Sequence, residues 1–281
     1  MRLIPGSKLA VCFVATLIWI PVVRAQDTAV MMPEQSAAKA KQIIQQAIEA
    51  LGGPAYLDVH DMSIEGRLSQ FDHAGNLAGF QKFADYSKPP DKDRQENLPK
   101  RNIIEVFNGK EGWVLDRGGV QEAPEDSVTQ FQEDQKKDID NILRHRIHEP
   151  DMNFHYAGPD VVDLKEVEWV ELDDGENRTI RIAFAKYTHL PVRKVVVDRD
   201  PQTRLRIDEV EYYSNYHPIQ GITTAFQITR DKNNIKVYQV FFDNVQYNTG
   251  IADSLFTKQS LEERWEKVGK KEKKKKDKDQ D

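Results

Sequence analysis

Histidines and a glutamate lie close together in residues 145–155, where their spacing could supply ligands for a metal ion. His145 and His148 are three residues apart on a predicted helix, Glu149 follows at once, and His155 lies further along. Side chains three apart share one face of a helix, but zinc sites use three or four such ligands. No further His or Cys pair is near, and two flanking arginines would repel a cation. We therefore interpret this segment as a solvated helix end, and we predict no metal and no other cofactor.

Carboxylates on predicted strands are the other candidates for chemistry. Glu65, Glu105, Glu209 and Glu211 are of this kind. Glycoside hydrolysis needs two carboxylates at a fixed separation, whereas a carboxylate on a strand most often faces water. The sequence contains no phosphate loop, dinucleotide fingerprint, G-x-S-x-G or H-E-x-x-H motif. We predict a protein that is not an enzyme, with a hydrolase as a less favoured hypothesis.

The amino-terminal segment has the pattern of a secretory signal peptide. Arg2 and Lys8 precede an uncharged apolar run, and Val23-Arg24-Ala25 follows it. The order of basic, apolar and small-residue regions predicts a signal peptide over residues 1–25, and an uncleaved anchor is the alternative. The single cysteine, Cys12, lies inside this leader, so the mature chain would contain no disulfide.

Charge separates the body of the chain from its carboxyl end. Removing the three basic residues of the leader leaves 37 basic and 46 acidic residues, a balance of −9. Such an acidic body excludes general nucleic-acid binding, which needs surplus Lys and Arg. Eight lysines lie between residues 267 and 278. We interpret residues 259–281 as a charged, disordered tail; the alternative is an arm that binds nucleic acid or makes weak contact with a membrane surface.

The elements between leader and tail are mainly strands. Residues 26–35 read as a flexible lead, after which Ser36 caps an amphipathic helix that ends at Leu51. Residues 87–100 read as a loop, and 125–148 as one helix with an exposed centre or two shorter helices. Ten or so strands at regular spacing predict one mainly β (α+β) domain over residues 36–258, a sandwich, barrel or half-barrel.

Several short motifs occur in an order that resembles one family. They are Ala50-Leu51-Gly52-Gly53, Asn108-Gly109-Lys110-Glu111-Gly112-Trp113, Leu190-Pro191-Val192-Arg193-Lys194, His217-Pro218-Ile219-Gln220-Gly221 and Asp253-Ser254-Leu255-Phe256. Over residues 37–258 the chain is similar to the outer-membrane lipoprotein-sorting (LolA-like) superfamily. The resemblance implies a curved antiparallel half-barrel sheet with helices packed on the concave face. It also implies a carrier or sensor of lipids or lipidated proteins that has no catalytic residues, and together with the signal peptide it predicts a soluble periplasmic protein.

The leading hypothesis is therefore a binding or carrier protein for an apolar ligand, either a lipid or a lipoprotein acyl chain. Strands that are apolar on both faces fit an interior that is incompletely filled. The alternative is an envelope regulatory protein that binds a partner protein and no lipid. The predicted lining consists of Trp113, Ile180, Ile182, Phe184, Phe226 and Ile228.

Overall fold

The computed structural model describes residues 31–176, 178–199 and 203–267. The predicted signal peptide and residues 26–30 of the predicted lead lie outside these residues. The described residues from Met32 onward belong to one compact unit. Within the described ranges, no helix is both long and apolar enough to span a membrane.

One antiparallel sheet of 13 strands forms the framework, in the order β6-β5-β4-β3-β2-β1-β13-β12-β11-β10-β9-β8-β7. The sheet is curved and does not close, which confirms the predicted half-barrel. Strands β1 to β13 comprise Met62–Phe71, Leu77–Lys88, Lys92–Leu98, Ile104–Asn108, Glu111–Asp116, Gly119–Glu122, Asn153–Val162, Lys165–Asp173, Thr179–Ala185, Pro191–Arg199, Arg206–Ile219, Ile222–Lys232 and Ile235–Tyr247.

Helix α1 covers Pro33–Leu51, so it begins before the predicted start and takes in the end of the predicted lead. The prediction that Ser36 caps the helix was wrong. Ser36 is buried inside α1, where its Oγ accepts a hydrogen bond from the Tyr156 backbone N–H at 2.8 Å. Pro33 starts the helix instead, because its fixed φ suits the first turn. Gly52 ends the helix with a φ of 135°, as predicted.

The segment after β6 forms two helices, α3 (Glu125–Lys137) and α4 (Ile139–Arg144), which was one of the two predicted alternatives. Asp138 separates them, and its side chain caps α4 by accepting from the Asn141 backbone N–H at 2.8 Å. Phe131 of α3 stacks on Phe107 of β4 with ring centroids 4.6 Å apart. This contact places α3 over the concave face of the sheet. The short helix α2 covers Pro54–Leu57.

The main hydrophobic core lies between the concave face and helices α1, α2 and α4. Its fully buried members include Ile43, Ala47, Tyr56, Ile142, Leu143, Leu172, Ile180, Ile182 and Phe184. The core therefore fixes α1 and α4 to the strands at one end of the half-barrel.

A second hydrophobic cluster lies on the opposite face of the sheet. Val106 and Phe107 alternate along β4, so Val106 faces away from α3. Val106 packs with Trp113, Phe256 and Leu261. Leu261 belongs to helix α5, residues 258–267, so the predicted disordered tail begins here as a helix. Its buried leucine explains why this part is ordered.

Strand β3 corrects the predicted loop over residues 87–100. Arg94 and Glu96 of β3 are buried beneath the carboxyl-terminal segment and pair with each other at 2.7 Å. Arg94 also donates to the Leu255 carbonyl at 3.0 Å. Ion pairs and hydrogen bonds therefore offset the cost of burying the charged side chains of this strand.

The two edge strands of the open sheet differ. Strand β6 has only four residues. Strand β7 has ten, but a bulge lies between Tyr156 and Gly158, and Pro159 follows without a backbone N–H.

Candidate functional site

A cavity of about 410 Å³ lies between helices α2 to α4 and strands β1 and β11 to β13. One part of its wall is apolar. That part includes Met62, Ile64, Ile139, Leu143, Ile228 and Phe242. The open curvature of the sheet and the helices across it together create this space.

Tyrosines form a second part of the cavity wall, and most of their phenols are occupied by internal hydrogen bonds. Tyr56 donates to Asp140 at 2.7 Å, and Tyr216 donates to the Pro191 carbonyl at 2.6 Å. Tyr247 shares a hydrogen bond with a neighbouring threonine. Burial raises the pKa of Tyr247 to about 12. The phenols are therefore protonated and present a neutral, polar surface.

A buried ion-pair network lies at one end of the cavity, centred on Glu211. Its carboxylate contacts Lys194 Nζ at 2.6 Å and Arg230 Nη2 at 2.5 Å. Burial by itself would raise the pKa of Glu211, but these two cations outweigh it and lower that pKa to about 2. Lys194 also donates to the Lys137 carbonyl at 2.5 Å. The network thereby joins strands β10 to β12 to the end of α3.

Arg144 of α4 lies in the cavity wall with a side chain only 2% exposed. Its guanidinium stacks 4.3 Å above the Tyr56 ring, and its Nε donates to the Tyr56 carbonyl at 3.0 Å. The Nη2 atom is 3.6 Å from Asp140 and has no hydrogen-bond partner in the described chain. Asp134 Oδ1 is likewise buried without a hydrogen-bond partner among the described residues, and it forms an ion pair with Arg230 Nη1 at 3.6 Å.

The six residues predicted to line a ligand site occupy different environments. Ile228 lies in the cavity wall, and Phe226 packs edge-on against Phe242 beside it. The three predicted residues of β9 are at most 1% exposed within the main core. These three are Ile180, Ile182 and Phe184.

Trp113 was placed on the helix-facing side of the sheet by the prediction, and this was wrong. It belongs to the cluster on the opposite face, beneath α5. Strand β5 is apolar on both faces, with Val114 next to Trp113, so alternation alone does not assign the inner face.

Sequence reasoning did not single out Arg144 or Arg230 as site residues, and it considered Glu211 only as a strand carboxylate. These charges come from a helix and two strands, and no local motif joins them. Arg144 did lie beside the segment tested for metal binding. In that segment, His145 and His148 are both exposed. No cluster of three or more potential metal ligands occurs within the described ranges.

Raised carboxyl pKa values occur at two places: at the pair Asp85 and Asp93, and at Asp138 in the cavity wall, where burial raises the pKa to about 6. Burial raises the pKa of Asp85 to about 6, and burial together with Asp85 raises that of Asp93. Neither Asp85 nor Asp93 lines the cavity. The pair therefore offers no acid or base to a molecule bound there.

Comparison with known proteins identifies the fold. No family model matches the chain, and no curated protein matches it. A DUF1329 family protein from Desulfovibrio piger has a similar structure, with a TM-score of 0.56 and 16% identity. The similarity covers 79% of this chain and 98% of that one. A putative outer membrane lipoprotein-sorting protein domain from Vibrio parahaemolyticus has a TM-score of 0.53 and 11% identity, over 80% and 99% of the two chains.

A LolA superfamily protein from Nitrosomonas europaea is also similar, with a TM-score of 0.51 and 14% identity over 79% of this chain and 99% of that one. The chain has a LolA-like fold. At these identities the likeness extends to the fold alone. Within the LolA-like fold, the cavity occupies the space between the concave sheet and its helices.

Proposed function

We propose that the protein is a non-enzymatic periplasmic carrier or binding protein for an apolar ligand, either a lipid or a lipoprotein acyl chain. The cavity of about 410 Å³ in the LolA-like fold is the observation that supports this most directly. A solid interior would have argued against it. The predicted signal peptide supports a location outside the cytoplasm.

Burial of hydrocarbon would supply the affinity. Each methylene removed from water contributes about 0.8 kcal/mol, so ten would contribute about 8 kcal/mol before the cost of association. The apolar wall can receive such a chain because Ile139, Leu143 and Phe242 present side chains to the cavity. Ile228 is the predicted residue that we retain as a direct contact, with Phe226 supporting it from beside Phe242.

The test is to fill the cavity without disturbing the fold. Ala225 lines the cavity on β12 and is half-buried, so Ala225→Phe would project a ring into the space. Ala74→Phe is the matched control, because Ala74 is exposed in the turn between β1 and β2. Binding is measured by titration with N-phenyl-1-naphthylamine, a dye that fluoresces in apolar surroundings. Native mass spectrometry of protein purified from the envelope reports bound lipid.

We expect the unsubstituted protein and Ala74→Phe to bind the dye and to carry lipid. We expect Ala225→Phe to lose both while its circular dichroism spectrum is unchanged. Equal binding by Ala225→Phe would place the ligand elsewhere. A lipid-free protein that does not bind the dye would contradict the carrier role and favour the alternative of a regulatory protein with a protein partner.

A further inference from the structure

Apolar side chains gather on the outer face of the sheet where β2, β1 and β13 lie side by side. Leu68 of β1 packs against the main core on the concave side, so the next residue, Ser69, faces outward. Phe80 lies directly opposite Ser69. Phe71, two residues further along β1, lies opposite Leu77. The three apolar side chains therefore share the outer face near the turn between β1 and β2.

Two of these side chains are largely exposed. Leu77 is 63% exposed and Phe80 is 60% exposed, so no described element covers them. Over β4 and β5, by contrast, the cluster that contains Leu261 of α5 buries Val106 and Trp113 on the outer face. Single exposed apolar residues are ordinary in soluble proteins, but here neighbouring ones form one patch.

Basic side chains lie among the apolar ones on the same face. Lys82 and Phe241 both lie opposite Arg67, one on each neighbouring strand. The Arg67 guanidinium is 5.8 Å from the centre of the Phe241 ring, and Lys236 Nζ is 5.3 Å from the centre of the Phe71 ring. We call this set of side chains the outer patch; its members are Arg67, Phe71, Leu77, Phe80, Lys82, Lys236 and Phe241.

Two cations of the outer patch are available to an external anion. Arg67 pairs with Asp243 at 2.9 Å, but neither Lys82 nor Lys236 forms an ion pair with a described residue. Asp231 lies opposite Lys236, and its Oδ1 atom is buried. In the adjoining turn, the Asp72 carboxylate accepts hydrogen bonds from backbone N–H groups of that turn.

The size and composition of the outer patch favour a membrane surface over a folded protein as its partner. Leu77 and Phe80 together offer roughly 200 to 300 Å² of exposed apolar surface, whereas a stable protein–protein interface buries about 800 Å² per partner. At the surface of a bilayer, by contrast, a few apolar side chains enter the headgroup region while lysines contact anionic phosphates.

We propose that the outer patch docks the protein on a bilayer that contains anionic phospholipid. Leu77 and Phe80 enter the headgroup region, and Lys82 and Lys236 contact the phosphates. The outer patch and the cavity lie on opposite faces of the sheet, so this docking does not depend on the proposed carrier function.

The test measures how protein purified from the envelope binds to vesicles in a flotation assay at low salt. Vesicles of equal parts phosphatidylglycerol and phosphatidylcholine are compared with vesicles of phosphatidylcholine alone, and we expect tighter binding to the anionic ones. Each lysine near an anionic surface contributes about 1 kcal/mol, so Lys82→Gln combined with Lys236→Gln is expected to weaken that binding about thirtyfold. Lys110→Gln combined with Lys165→Gln is the matched control, because both lysines are exposed elsewhere on the surface. We expect it to bind within about twofold of the unsubstituted protein.

The apolar part of the outer patch is tested separately. Phe80→Ser is expected to weaken binding to the anionic vesicles about tenfold, because the exposed part of its ring no longer leaves water. Leu164→Ser is its control, since Leu164 is 98% exposed in the turn between β7 and β8. Titration with N-phenyl-1-naphthylamine is expected to give the same result for both variants, because neither residue lines the cavity.

A fluorescent label reports the contact directly. Cys12 is the only cysteine and lies in the predicted signal peptide, so Ala78→Cys gives the mature chain a single thiol beside Leu77. We expect a nitrobenzoxadiazole label at this position to brighten when anionic vesicles are added, and the same label on Leu164→Cys to remain unchanged.

Equal binding to both kinds of vesicle, or to neither, would overturn the proposal. Patch variants that bind as well as their controls would also overturn it, and would assign the lipid contact to the lysines between residues 267 and 278. If a patch variant does not fold, as judged by circular dichroism, the labelled proteins decide the matter: a label at residue 78 that does not respond overturns the proposal.

Discussion

Replacing Glu211 by Gln tests whether the buried ion-pair network stabilises the half-barrel. Glu211 is 7% exposed and joins Lys194 of β10 to Arg230 of β12. Lys194 is 3% exposed, and a glutamine would keep an amide oxygen as an acceptor but would remove the negative charge that compensates the lysine. Loss of one partner from a buried pair leaves the other charge uncompensated, which typically costs about 3 to 5 kcal/mol.

The pKa of Glu211 gives a second measure of the same interaction. Folding lowers that pKa from 4.5 to about 2 because Lys194 and Arg230 outweigh the effect of burial. The difference corresponds to about 3 kcal/mol of stability. A lowered carboxyl pKa stabilises the protein fully above pH 4.5, and the stabilisation is lost as the pH falls towards 2. About 2 kcal/mol of it would be gone by pH 3.

The assay is equilibrium urea unfolding at several pH values between 7 and 3. We expect Glu211→Gln to reduce the free energy of unfolding by about 3 kcal/mol at pH 7, and the difference from the unsubstituted protein to narrow at low pH. Glu166→Gln is the control, since Glu166 pairs with Lys186 at 2.6 Å on the exposed surface. A Glu211→Gln variant as stable as the control at pH 7 would refute the reasoning, as would a difference that does not change with pH.

Two further substitutions test how the carboxyl-terminal segment is attached. Leu261→Ala is expected to lower the free energy of unfolding by about 2 to 4 kcal/mol in urea, because Leu261 is fully buried on the outer face; a change near zero would show that α5 does not pack there in solution. Asp61→Asn is expected to cost about 1 to 3 kcal/mol, since the Asp61 carboxylate accepts from the backbone N–H groups of Thr249, Gly250 and Ile251 at 2.7, 2.9 and 3.2 Å. An unchanged thermal unfolding midpoint for this variant would contradict that estimate.

Hydrophobic periodicity was a good guide wherever apolar residues do the packing. It located α1 through Ile43, Ile44, Ala47 and Ile48, which are all buried. It failed for β3, because there the alternating buried residues are Arg94 and Glu96 rather than apolar ones. A strand whose buried side chains are charged has a polar sequence that predicts a loop, unless the residues that neutralise those charges are known. The same reasoning explains why α5 was predicted to be disordered: its sequence is mostly charged and contains one fully buried leucine, Leu261.

The site was less predictable than the fold because its wall is assembled from distant segments. Apolar residues on a concave strand can be core or cavity wall, and only the positions of the helices decide between them. Thus Ile228 lies in the wall whereas Ile182 is covered completely. The position of the Arg144 guanidinium depends on its stacking with Tyr56, 88 residues away along the chain. No spacing rule reports such a contact.

An open sheet leaves the backbone groups of its two edge strands available for pairing with other molecules. Edge strand β6 has only four residues, so its backbone offers a neighbouring molecule few N–H and C=O groups for strand pairing. At the other edge, the bulge before Gly158 and the missing N–H of Pro159 interrupt the row of free backbone hydrogen-bonding groups of β7 near its middle. The half-barrel can thus remain unclosed without inviting strand-by-strand growth into fibres.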